Sequence, residues 1–120
     1  MEKLLDYHDA SINKIEYSLD KNELVIGIET YDDLPYDLYF TGVIGWSFSS
    51  FEVQNHLLDF RIYDSISLPS YLIEDYEVEQ VYLELMNTKK GYFFELDPAT
   101  GMGGYIIAIN FKVEKRDKLK

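Results

Sequence analysis

The chain has 120 residues, enough for one domain with a single core, and its apolar share of 47% is ordinary for a globular fold. Acidic residues outnumber basic ones 22 to 11; residues 112–120 hold five of the basic and two of the acidic residues, so 1–111 carry 20 against 6. Such a charge disfavours nucleic acid and anionic membranes as partners and favours a basic protein surface, although acidity also serves solubility alone. There is no cysteine, hence no disulfide or thiolate zinc site, and no apolar run nears the roughly 20 residues that span a bilayer. With no basic lead before an apolar run at the start, a cytoplasmic location is expected.

The first readable element is the pair His8–Asp9 ahead of Ile12. Adjacent residues on an extended chain point to opposite faces, so the pair reads as a turn that launches a strand, with Asp9 accepting from a nearby backbone N–H. Alternation then places Ile15, Tyr17 and Leu19 on one face, and Leu24, Ile26 and Ile28 on another strand's face. A four-residue loop at Asp20–Glu23 pairs 19 with 24, 17 with 26 and 15 with 28.

A longer strand follows, with Tyr36, Leu38, Phe40, Ile44, Trp46 and Phe48 on one face and Trp46 expected in the core. The apolar set moves to Phe51 and Val53 at a bulge or turn near 49–50, and Gly42 and Gly45 mark a bend or a close approach. "LLDFRIYD" (57–64) is read as a strand with Leu58, Phe60 and Ile62 inward. Pro69 starts a short helix with Leu68, Leu72 and Tyr76 on one side. Alternation resumes at 77–87, where Val81, Leu83 and Leu85 oppose Tyr82, Glu84 and Met86. The last two strands carry Tyr92, Phe94 and Leu96, then Tyr105, Ile107, Ile109, Phe111 and Val113, with 112–120 fraying as a basic tail. The expected fold is mainly β: one antiparallel sheet domain over 1–120, a sandwich or half-barrel, of about seven strands and at most one short helix.

Catalytic chemistry finds little to build on. No Ser sits in a G-x-S-x-G elbow, and His8 and His56 lack the spacing of a zinc site. "TGMGG" (100–104) leads into a strand rather than a helix, so it reads as a hairpin loop and not a phosphate cradle. No cofactor or metal is expected. The candidate binding residues are two acidic patches interleaved with tyrosine: Tyr31, Asp32, Asp33, Tyr36 and Asp37, and then Glu74, Asp75, Tyr76, Glu77 and Glu79. Carboxylates steer a basic partner, and tyrosine supplies contact area at low entropic cost.

"HDASINKIEY" (8–17), "ELVIGIE" (23–29) and "FTGVIGWSFSSFEVQNHLLDFRIYD" (40–64) together resemble the bacterial polymorphic-toxin immunity proteins numbered fifty, over about residues 7–64. The resemblance implies a mostly-β, non-enzymatic protein that binds and neutralises a cognate toxin. Under it, His8, Asp9, Ile12 and Trp46 are signature positions of the fold rather than a toxin-binding surface. The alternatives are a self-associating structural or interaction domain, with a homo-oligomer left open, and a small-ligand-binding domain.

Overall fold

The computed structural model describes residues 6–117. Six antiparallel strands form a barrel: β1 (Ser11–Ser18), β2 (Glu23–Glu29), β3 (Pro35–Ser49), β4 (His56–Tyr63), β5 (Tyr92–Thr100) and β6 (Gly103–Lys115). Around the barrel the order is β1-β2-β3-β6-β5-β4, closing on β1. The mainly-β, antiparallel expectation holds, with six strands rather than seven and full closure in place of a half-barrel.

The missing strand is a helix. Between β4 and β5 lie α1 (Ser70–Asp75), as Pro69 and Leu72 foretold, and α2 (Gln80–Lys89), where alternation predicted a strand. Residues 81–86 are apolar at most positions, and such a run satisfies period 2 and period 3.6 alike. The packed face decides: buried Val78 and Met86 and the partly buried Tyr82 recur every fourth residue against the barrel, while Val81 and Leu85 face solvent. The helix ends at Lys90 in the left-handed conformation, where the Lys90 and Gly91 amides both donate to the Met86 carbonyl.

Two cores result. The barrel interior holds Leu24, Ile26, Ile28, Leu38, Phe40, Phe60 and Phe94, with edge-to-face rings such as Phe40–Phe94 at 5.0 Å between centroids. Outside the wall, Phe93, Tyr105 and Ile107 meet Leu72, Val78 and Met86 of the helical layer. Residues 93–96 of β5 and 103–108 of β6 are therefore buried on both faces, which explains the unbroken apolar run at 105–108. The single face proposed for 105–113 is corrected. Tyr105 and Ile107 point out beneath the helices, whereas Ile106, Ala108, Phe111 and Val113 belong to the interior.

Irregularities account for the other displaced positions. The β1–β2 loop is 19–22, one residue earlier than expected, so Tyr17 opposes Leu24 and Ile15 opposes Ile26. Leu19 is left exposed in the turn. A bulge between Leu57 and Asp59 turns Leu57 inward and leaves Leu58 exposed, reversing the expected assignment. Gly42 adopts φ 66, and the β3–β6 register shifts between Val43 and Gly45. Gly45 is the close approach: a Cβ there would lie 2.6 Å from the Tyr82 ring, so the absent side chain lets α2 seat on the wall. Trp46 is not core. It is 37% exposed and packs against Tyr17, 4.9 Å away, and Phe48.

The expected frayed tail is also corrected over its described part. Residues 112–115 complete β6 against Tyr36–Tyr39, and the Arg116 amide donates to the Pro35 carbonyl. Residues 118–120 lie outside the described residues.

Candidate partner-binding site

The His8–Asp9 turn stands where the barrel closes. The Ala10 amide donates to the Tyr7 carbonyl across the turn, and Asp9 occupies the left-handed region at φ 64, which Asp tolerates better than most residues. The side-chain bond that organises the turn comes from Asp6, whose Oδ1 accepts from the His8 amide at 3.1 Å. Asp9 acts through its backbone conformation instead, a correction to the capping role expected of it. With the chain so aimed, the Asp9 amide donates to Leu57 O (2.8 Å), Leu57 N donates to Ala10 O (2.8 Å), and Ile12 N donates to Asn55 O (2.8 Å). These bonds and the Ser11–His56 pair seal β1 to β4.

His8 is exposed, with Nδ1 3.1 Å from Leu58 O and Nε2 3.7 Å from Asp9 Oδ2, so the turn brings together two side chains that an extended chain would point apart. The hydrogen bond to the Leu58 carbonyl and the adjacent Asp9 carboxylate raise the His8 pKa above its ordinary value. Ile12 is buried in the interior.

At this same end the β2–β3 turn presents Tyr31, Asp32 and Asp33. Thr30 builds it: its hydroxyl donates to Asp32 Oδ1 (2.6 Å) and accepts from the Leu34 amide (3.1 Å), while its carbonyl accepts from the Asp33 amide. Asp33 is left-handed at φ 66, and Tyr31 is 77% exposed. Strand pairing brings this turn beside the Asp9 turn and the start of β4. Together they line an open depression of about 400 Å³, with Asp9, Thr30, Tyr31, Asp33, His56 and Thr100 on its walls.

The other members of the first patch are elsewhere. Tyr36 packs on the barrel interior, and Asp37 is buried on the outer wall, opposite Gly27 and Glu114. Its Oδ1 lies 3.0 Å from Arg116 Nε and 3.7 Å from Lys14 Nζ, and Arg116 Nη2 also donates to Ile28 O. Asp37 is thus spent on an internal ion pair that fastens the end of β6 to β2 and β3.

Of the second patch, Glu74, Asp75, Glu77 and Glu79 are exposed around the α1–α2 junction. Tyr76 is not a surface residue. Its hydroxyl donates to Glu95 Oε2 at 2.9 Å and its ring packs on Phe93 and Tyr105. Burial, then the bond to Glu95, hold the Tyr76 pKa well above the ordinary phenol value. Glu95 is buried and also accepts from Arg61 Nη1 (3.1 Å), which reaches Asp97 (3.0 Å). Sequence reasoning missed this network because Arg61 and Glu95 become neighbours only once β4 is known to pair with β5.

It also missed Asn55, which is 2% exposed. Its Oδ1 accepts from the amides of Glu52 (2.8 Å) and Met102 (2.9 Å), and its Nδ2 donates to Glu52 O (2.7 Å). One side chain thereby ties the β3–β4 link to the β5–β6 hairpin, directly behind the closure seam. An Asn in a polar loop carries no signal of that in the sequence.

The chain matches no protein-family model and no curated protein.

Proposed function

We propose that the chain is a non-enzymatic inhibitor, an immunity protein that binds a basic cognate toxin and occludes it. The observation that carries the reading is the exposed Tyr31–Asp33 turn beside the Asp9 depression, on a chain of net charge −11. Carboxylates there attract a basic surface at long range, and the Tyr31 ring supplies contact at short range. Asp32, Asp33, Glu74, Asp75, Glu77 and Glu79 are the steering charges. Asp37, Tyr36 and Tyr76 are excluded because the fold itself uses them. A bacterial, cytoplasmic setting belongs to the same proposal.

The test is growth rescue. A reading frame adjacent to this one is expressed alone and together with this chain, or with a variant carrying Asn or Gln at Asp32, Asp33, Glu74 and Asp75. The proposal expects growth arrest, rescue by the native chain, and weaker rescue by the variant. An adjacent product that is harmless, or rescued equally by both, overturns it. A self-associating domain is the second reading, favoured by the partly exposed and mutually packed Tyr17 and Trp46 rings; concentration-dependent mass in sedimentation would support it.

A further inference from the structure

We infer that the outer edge of β1 pairs with the same edge of a second copy of this chain, antiparallel, about a two-fold axis at Ile15. The inference goes beyond the inhibitor reading and does not rest on it. The barrel closes over a short span. β1 meets β4 at the Ser11–His56 pair, and the last backbone bond of the seam runs from Ile12 N to Asn55 O. Because β4 begins at His56 and is antiparallel to β1, residues 13–18 of β1 have already passed its start. Over that stretch β2 is the one strand paired with β1 among the described residues. An edge of this kind leaves a row of backbone N–H and C=O groups without strand partners, a template for one more strand.

The side chains select the strand that fits. Lys14 lies opposite Gly27 and Glu16 opposite Val25, so both project from the outer wall, two residues apart and opposite in sign. Ile15 turns the other way, onto the interior core. When two copies of β1 run antiparallel with Ile15 opposite Ile15, each Lys14 stands opposite the other copy's Glu16. Moving the axis to Lys14 or to Glu16 sets like charges opposite each other instead, which is unfavourable. A foreign basic strand gains at Glu16 but meets Lys14, whereas the chain's own edge answers both charges, as an isologous contact requires. Lys14 can take part: its side chain is 42% exposed and its Nζ lies 3.7 Å from Asp37 Oδ1, while Arg116 Nε is closer to that carboxylate at 3.0 Å. Glu16 is exposed. The paired stretch is short and each copy carries a net charge of −11, so the dimer is weak and favoured by high protein concentration.

The chain has no cysteine, so introduced thiols report the register directly. Lys14→Cys and Glu16→Cys chains are oxidised separately and as an equal mixture. Residues directly opposite in antiparallel strands have Cα atoms about 4.5–5.5 Å apart, within disulfide reach, whereas two copies of Lys14 would be offset by two residues and beyond it. The expected result is a disulfide-linked dimer that forms at least about fivefold faster in the mixture than from either chain alone. In sedimentation the unaltered chain should gain mass with concentration, and Glu16→Lys should lose that gain with an unchanged melting temperature. This substitution lowers the net negative charge, so general repulsion cannot explain the loss. Amide exchange over 13–17 in the unaltered chain should slow as concentration rises. Equal rates in mixed and single-chain oxidations, or a mass that stays monomeric at every concentration, would overturn the inference. So would slow exchange over 13–17 at every dilution, which would show that the chain covers this edge itself.

Discussion

Replacing Asn55 by Ala removes three hydrogen bonds at once from a site that is 2% exposed. Each such bond contributes about 1 kcal/mol net, and a buried donor left without a partner costs about 1–3 kcal/mol. The Met102 amide is the donor at risk, since Met102 is fully buried and the amide has no route to water without opening the β5–β6 hairpin. The expected loss is therefore about 3–4 kcal/mol, roughly a third of a mid-range domain stability of about 10 kcal/mol. In urea, with a slope near 1.5 kcal/mol/M, the midpoint should fall by about 2 M. Hydrogen exchange adds a second readout: the Ile12 amide, bonded to Asn55 O across the seam, should lose protection together with Met102. Asn55→Asp should be no remedy, because it keeps the acceptor but loses the donor to Glu52 O and buries a charge. A loss below about 1 kcal/mol, or Ile12 protection unchanged, would refute the assignment of Asn55 as the tie behind the closure.

Three further outcomes are expected. Gly45→Ala should destabilise by about 1–3 kcal/mol, because the new Cβ collides with the Tyr82 ring, and near-ultraviolet circular dichroism should report the shifted tyrosine. Arg116→Ala leaves the buried Asp37, among the described residues, with Lys14 as its remaining cation and should cost about 1–3 kcal/mol in chemical denaturation; a frayed tail would cost nothing. The His8 pKa is raised on folding, so its contribution is full below the unfolded value near 6.5 and is lost as pH rises through the folded one. The melting-temperature gap between the native chain and His8→Ala should thus be wider at pH 5.5 than at pH 8.5.

Where one side of a strand faces a core and the other faces water, the sequence was a sufficient guide. Leu24, Ile26 and Ile28 in β2 and Leu38 and Phe40 in β3 lie inside as their alternation required. Pro69 with Leu72 gave the short helix for an equally local reason. The pattern fails where both sides are buried or the ladder slips. In β6 the helices cover Tyr105 and Ile107, so no side is polar enough to mark a face. In β4 one bulged residue exchanges Leu57 for Leu58. The acidic turn at 31–33 was legible because its residues are local and exposed, and Glu74, Asp75, Glu77 and Glu79 are exposed as a surface patch requires. The fates of Asp37 and Tyr76 were not, because Arg116 and Glu95, which claim them, arrive from distant strands.

The long β3–β6 ladder has a consequence for how the chain is made. Tyr36 pairs with Lys115 and Ser49 with Gly103, so the main partner of β3 leaves the ribosome long after β3 itself. Until then β1, β2 and β3 can form no more than a three-stranded meander, with Leu38 and Phe40 uncovered and the β3 edge open to strands of other chains. Folding should be deferred until β6 emerges and then be slow, as pairing between remote segments dictates. During that interval β3 is the segment a chaperone has most reason to hold.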